Sequence, residues 1–192
     1  MPVQVTGHYI NRRTSPTEQL VAIAPTSTTC SHAPFPSECA TSSEAVSPLI
    51  SSFTKYNVTT AGEQAALISW MAFESADFKY NINHYPGTPG QGTRCMMSPT
   101  YVKEYAMSLS ELSSKAATAT TPAEILDLVL GNEYSFGSAA WFLSSQCSDS
   151  VKNGLAGGTD EGWEAFITDC IQTTVTDERK EYWDRAKSAL QV

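Results

Sequence analysis

From residue 43 to the C terminus the apolar residues recur at three- and four-residue intervals, and one stretch, residues 79–97, breaks that rhythm. Apolar positions at i, i+3, i+4 and i+7 mark one face of an α-helix, so the chain must fold largely as packed helices. The pattern predicts helices over about 43–55, over 60–78 and onward from Pro99. Others follow over Glu124–Leu130, Gly137–Ser145, from Thr159 or Asp160 through Ile171, and Asp177–Leu190. Thr60 with Glu63, and Thr121-Pro122-Ala123-Glu124, are capping boxes, in which side chains satisfy the first free backbone N–H groups of a helix. Residues 79–97 hold Pro86-Gly87-Thr88-Pro89-Gly90 and Gly92, too many breakers for a helix, and offer the one credible β-hairpin. The expected fold class is therefore α+β, mainly α, with a small β-hairpin wing after the second helix. Residues 1–29, with Val3, Val5, Tyr9 and an Arg12-Arg13 pair, read as an N-terminal strand or a partly ordered leader, and residues 30–192 as a single domain.

A chain of 192 residues fits one domain with a sizeable core. Its net charge of −8 and lack of a basic patch exclude nucleic acid as a partner. No run of 18 or more apolar residues occurs, so no membrane partner is expected. The five cysteines include no C-x-x-C step, which argues against zinc; no metal and no cofactor is expected. Cys30 and Cys39 bracket a Pro-rich loop, and Cys147 and Cys170 sit where a bridge would staple two helices, leaving Cys95 free. A fully reduced cytosolic chain is the alternative. Asn57-Val58-Thr59 is an N-glycosylation sequon, in keeping with a secreted protein whose signal peptide is absent from this chain.

One position conflicts with its surroundings. The apolar face of the second helix runs Leu67, Trp70, Met71, then Glu74, then Phe78, and Glu74 stands where the pattern calls for Leu or Phe. A carboxylate against Trp and Phe loses hydration of its charged form, so its pKa is expected to rise and leave it able to donate a proton. The alternative is a half-exposed Glu at a helix end, paired with Lys or Arg.

The residues after it, Glu74-Ser75, then Asn81 and Asn83, then Pro86 to Gly92, then Thr93-Arg94-Cys95-Met96-Met97-Ser98-Pro99, resemble the lysozyme-like superfamily. The resemblance is to the goose-type lysozymes and soluble lytic transglycosylases. It covers roughly residues 63–106, with Thr93-Arg94-Cys95-Met96-Met97 replacing the family's Gly-Leu-Met-Gln run. It implies a lysozyme-like catalytic domain in which Glu74 is the general acid of glycosidic cleavage.

A second carboxylate is sought at Asp77, which would activate water or else cap the helix end or bind Lys79; Glu133, Asp160 and Glu161 are remoter candidates. Sugar rings are held by aromatic faces and neutral polar groups, so Ser75, Tyr80, Asn83, Tyr85, Gln91 and Tyr134 are the expected substrate-binding residues. The resulting expectation is a secreted, monomeric muramidase acting on peptidoglycan. A chitinase or chitosanase and a non-catalytic carbohydrate-binding protein are the alternatives. An acidic chain would be drawn to cationic chitosan, whereas the neutral cleft lining expected here favours peptidoglycan.

Overall fold

A computed structural model describes residues 14–192. Among these residues the chain is helical: α1 (Pro16–Ile23), α2 (Ser42–Lys55), α3 (Ala61–Glu74), α4 (Pro99–Ser108), α5 (Ser113–Thr118), α6 (Pro122–Asp127), α7 (Asn132–Gln146), α8 (Asp149–Ala156), α9 (Asp160–Ala165) and α10 (Asp177–Leu190). α9 runs on into one wider π turn, Phe166–Cys170. No helix here is long and apolar enough to cross a membrane.

The helix starts follow from local chemistry. Ser15 with Glu18, Thr41 with Glu44, Thr60 with Glu63 and Thr121 with Glu124 each form a reciprocal capping box. The first of these opens helix α1 inside the segment 1–29 expected as a strand or a partly ordered leader. The alternating residues Val3, Val5 and Tyr9 lie outside the described residues. Helices α5 and α8 had no expectation; Ser148, whose side chain accepts from the Val151 N–H, starts the latter.

Helix α7 is the centre of the core, with every residue from Ser135 to Leu143 buried. It packs against α2, α3 and α4. At Gly137 a Cβ would lie 2.8 Å from the Tyr105 hydroxyl, so glycine lets α4 and α7 approach. Helix α3 lies between α10 and α8, and a Cβ on Gly62 would sit 2.3 Å from the Leu155 carbonyl oxygen. Two bridges staple the body, Cys30–Cys39 and Cys147–Cys170, with Cys95 left as a buried thiol, which is the expected pairing.

Trp163 and Trp183 stack with centroids 5.8 Å apart where α9 meets α10. Asp160 ties this junction, pairing with Lys187 and Lys180 and accepting from the Trp183 indole at 2.8 Å. The Lys187 and Trp183 hydrogen bonds hold its carboxyl below the usual range. A depressed folded pKa stabilises above the free-chain value of about 4 and is lost as pH falls through the folded value. The carboxylate is 40 % exposed, so screening keeps the effect to roughly 1 kcal/mol or less. The thermal midpoint should fall between pH 5 and pH 2 by less in Asp160→Asn than in wild type, as read by circular dichroism.

Two expectations about residues 74–97 are corrected. Helix α3 stops at Glu74 instead of continuing to Phe78, and Ala76, Asp77 and Phe78 take left-handed φ values of 48, 57 and 66°. This reversal drops Phe78 into the core against Phe136, ring centroids 5.2 Å apart. The hairpin does not form. Only isolated bridges join Ile82 to Gly92 and Gly92 to Met97 among the described residues. The physical reason is that side chains take up the backbone groups a strand ladder would have used. The Asn81 and Ile82 N–H groups donate to the buried Glu38 carboxylate, both at 3.1 Å, and the Phe78 and Tyr80 carbonyls accept from Arg94 at 2.9 and 3.0 Å.

Candidate functional site

The loop over residues 75–97 closes one wall of a cleft beneath the end of α3. Two cavities of about 300 and 310 Å³ share Glu74, Gln91 and Met96 as a common wall. The first is lined further by Tyr80, Ile82, Asn83, His84 and Tyr85. The second is lined by Trp70, Met97, Tyr101, Phe142, Ile171 and Arg179 among others. Both parts of the cleft mix polar and apolar side chains, Ser98 and Thr173 standing in the second beside its aromatic residues, with Glu74 at the join.

Buried charge and backbone strain are concentrated around it. Glu38, 6 % exposed, accepts from His84 Nε2 at 2.6 Å besides its two backbone donors. The His84 ring stacks on Phe35 at 3.7 Å. Arg94, 1 % exposed, lies over the Phe136 ring and also donates to Asn132 Oδ1 at 3.2 Å. Burial lowers its pKa to about 10, which leaves it charged at neutral pH. Besides Ala76, Asp77 and Phe78, Thr93 and Met96 also hold positive φ. Left-handed backbone in residues with a Cβ costs of order 1 kcal/mol or more, and such strain gathers where a site must hold a shape.

Glu74 is the expected residue in an unexpected setting. Its Oε1 accepts from Arg179 Nη1 at 2.6 Å, and the Arg179 guanidinium lies 4.3 Å over the Phe73 ring. Glu74 is therefore one half of an ion pair, not a carboxylate set against hydrocarbon alone. Asp77 does not enter the cleft. It is buried, and its carboxylate accepts from the Thr26 N–H and hydroxyl and from the Tyr182 hydroxyl, each at 2.8 Å. Burial, then the Asp77 bond, pushes the Tyr182 hydroxyl up to about 12. Lys79, named as a partner for Asp77, donates instead to the Thr26 and Thr29 carbonyls. Arg179 and Tyr182, three apart on α10, meet Glu74 and Asp77, three apart at the end of α3.

Of the other expected binding residues, Tyr80, Asn83, Tyr85 and Gln91 line the cleft. Asn83 Oδ1 is engaged by the Gly87 and Thr88 N–H groups, and Gln91 Nε2 donates to the Met96 carbonyl. Ser75 is structural: buried, it donates to the Met71 carbonyl and accepts from the Phe78 N–H. Tyr134 lies elsewhere, its carbonyl accepting from Tyr105 at 2.9 Å. Glu133 and Glu161 are exposed, and Asp160 is taken up by the α9–α10 junction. The reading missed Glu38, Arg94 and Arg179. A faint signal existed for the first two, each a charged residue directly before a cysteine; nothing local marked Arg179.

Among the described residues no three His, Cys, Asp or Glu side chains gather as a metal site. The Cys95 thiol, between Thr93 and Ser138, is pushed up to about 12 by burial, far from a reactive thiolate.

No known protein family and no solved structure matches this chain. A curated protein does: the bifunctional dioxygenase (DOX)-epoxy alcohol synthase (EAS) of Fusarium oxysporum (strain Fo5176), 39 % identical over 150 residues. The match takes in 74 % of this chain and 12 % of that protein, so the chain spans about an eighth of its relative's length. The finding overturns the expectation of a glycosidase, whether muramidase, chitinase or chitosanase, and of its carbohydrate-binding alternative. The similarity is to a protein named for oxygenase and synthase activity. Asp77, sought as a second carboxylate, is buried under three donors, and Glu74 is paired to Arg179.

Proposed function

We propose that the cleft binds a neutral, amphipathic organic molecule bearing hydroxyl or epoxide oxygens, of the class named in the Fusarium relative. The observation that carries this reading is a cleft whose walls interleave uncharged polar side chains with apolar ones on both sides of the Glu74–Arg179 pair. The Glu74–Arg179 pair is neutral overall, and the remaining lining adds no fixed charge. Oxygen atoms of the ligand would face the Tyr80 hydroxyl and the side-chain Nδ2 of Asn83, and a ligand hydroxyl would donate to the side-chain Oε1 of Gln91. These groups make no other hydrogen bond among the described residues. Its carbon chain would run along Met97, Tyr101, Phe142 and Ile171.

Dioxygen chemistry calls on a redox-active group. His84, bound to Glu38, and Cys95, bound to Ser138, do not form a donor set for one, so the proposed role of these residues is ligand binding. The two bridges support a further proposal, that the domain works in an oxidising compartment. The lysozyme-like resemblance of residues 63–106 is retained as a proposal on the fold alone; a Glu-Ser helix end facing a cleft supports it.

Titration of Trp fluorescence or calorimetry with a long-chain epoxy alcohol tests the binding reading. At about −0.3 kcal/mol per heavy atom, a ligand of roughly 22 heavy atoms should bind with Kd on the order of 10 µM. Tyr80→Phe removes one hydrogen bond, of about 1 kcal/mol, and should weaken binding about fivefold while leaving the deoxygenated analogue unaffected. Equal affinity for the epoxy alcohol and its deoxygenated analogue, or no saturable binding, defeats the reading.

A further inference from the structure

A second hollow lies apart from the cleft. A groove of about 460 Å³ lies between α1, α2 and α3, lined by Leu20, Val46, Ile50, Phe53 and Ile68, with Ile50 53 % exposed. Hydrophobic side chains thus stay open to solvent on the floor of this groove. Asn57 and Thr59 stand on its rim, and they are the first and third residues of the sequon Asn57-Val58-Thr59.

The turn after α2 presents this sequon outward. Asn57 takes a left-handed φ of 56°, which asparagine tolerates, and is exposed. Val58 is buried, its N–H donating to the Phe53 carbonyl at 2.9 Å, and anchors the turn. Thr59 is exposed again. Neither the Asn57 carboxamide nor the Thr59 hydroxyl makes a hydrogen bond among the described residues, so both are available to an enzyme acting on the turn.

We infer that Asn57 is an N-glycosylation site and that the attached glycan covers the apolar groove. In the transfer, Asn57 Nδ2 attacks the anomeric carbon of a lipid-pyrophosphate-linked oligosaccharide. The bond from that carbon to the phosphate oxygen breaks, its electron pair leaves with the lipid pyrophosphate, and Nδ2 gives a proton to the transferase's base. The donor and transferase are those of a eukaryotic secretory compartment, so the inference rests on the oxidising-compartment proposal and is independent of the ligand in the cleft.

The test is to secrete the full chain from a eukaryotic host and treat half of it with peptide-N-glycosidase. Wild type and Thr59→Ser should lose glycan mass and yield a peptide with Asn57 converted to Asp. Asn57→Gln and Thr59→Ala should run unmodified with unchanged circular dichroism. A hydrophobic dye should bind the deglycosylated protein more strongly than the intact one. Secreted wild type with blocked thiols and an unmodified Asn57 overturns the site. Free Cys30, Cys39, Cys147 and Cys170 thiols in that sample overturn the compartment proposal as well. Equal dye binding before and after deglycosylation overturns the covering of the groove.

Discussion

Replacing Arg94 with methionine should destabilise the domain by about 3–5 kcal/mol, the range for breaking a buried charged network from one side. The guanidinium is 1 % exposed and joins the 75–97 loop to the core through the Phe78 and Tyr80 carbonyls and Asn132. Methionine fills most of the volume but donates nothing, so two carbonyls lose their donor. The buried Glu38 carboxylate also loses a neighbouring positive charge. For a domain of this size the loss corresponds to a fall in thermal midpoint of about 6–20 °C. The cleft should loosen first, because the same residue holds its wall. Urea unfolding measures the change, and a loss below about 1 kcal/mol would show that the network is not what holds the loop.

Removing the Cys147–Cys170 bridge should cost about 3.5 kcal/mol in the loop-entropy treatment. The bridge ties the C-cap of α7 to the end of the π turn after α9 and closes a separation of 23 residues. A Cys147→Ser, Cys170→Ser double variant avoids leaving a lone thiol. The Cys30–Cys39 bridge spans 9 residues, and its loss should cost about 2.5 kcal/mol on the same reckoning. Its effect should be more local, since Cys39 adjoins Glu38, the acceptor for the Asn81 and Ile82 N–H groups. Unfolding curves of the two double variants would rank them. A larger loss at Cys30–Cys39 would mean that positioning Glu38 outweighs loop closure.

What the sequence by itself determined is whatever depends on neighbours within a turn or two. Thr60 with Glu63 and Thr121 with Glu124 announce their helices because a cap is made by residues three apart. The bridges followed from cysteine spacing, and Glu74 at the cleft from one polar residue in an apolar stripe. Tyr80, Asn83, Tyr85 and Gln91 were legible for a similar reason, since a breaker-rich loop directly after a helix end has little choice but to line the space beside it.

Only the tertiary structure decided what those groups touch. Arg179 reaches Glu74, and Tyr182 reaches Asp77, across 105 positions. No window along the chain contains both partners, because the pairing arises from how α10 packs on α3. Residues 79–97 read as a hairpin because their own pattern permits one. Glu38 and Arg94 satisfy the loop backbone from outside any strand pair and leave it irregular. A carboxylate read in isolation looked like a proton donor. Packed against an arginine from the last helix it is half of an ion pair, because the energy of a buried charge is set by whatever the fold brings beside it.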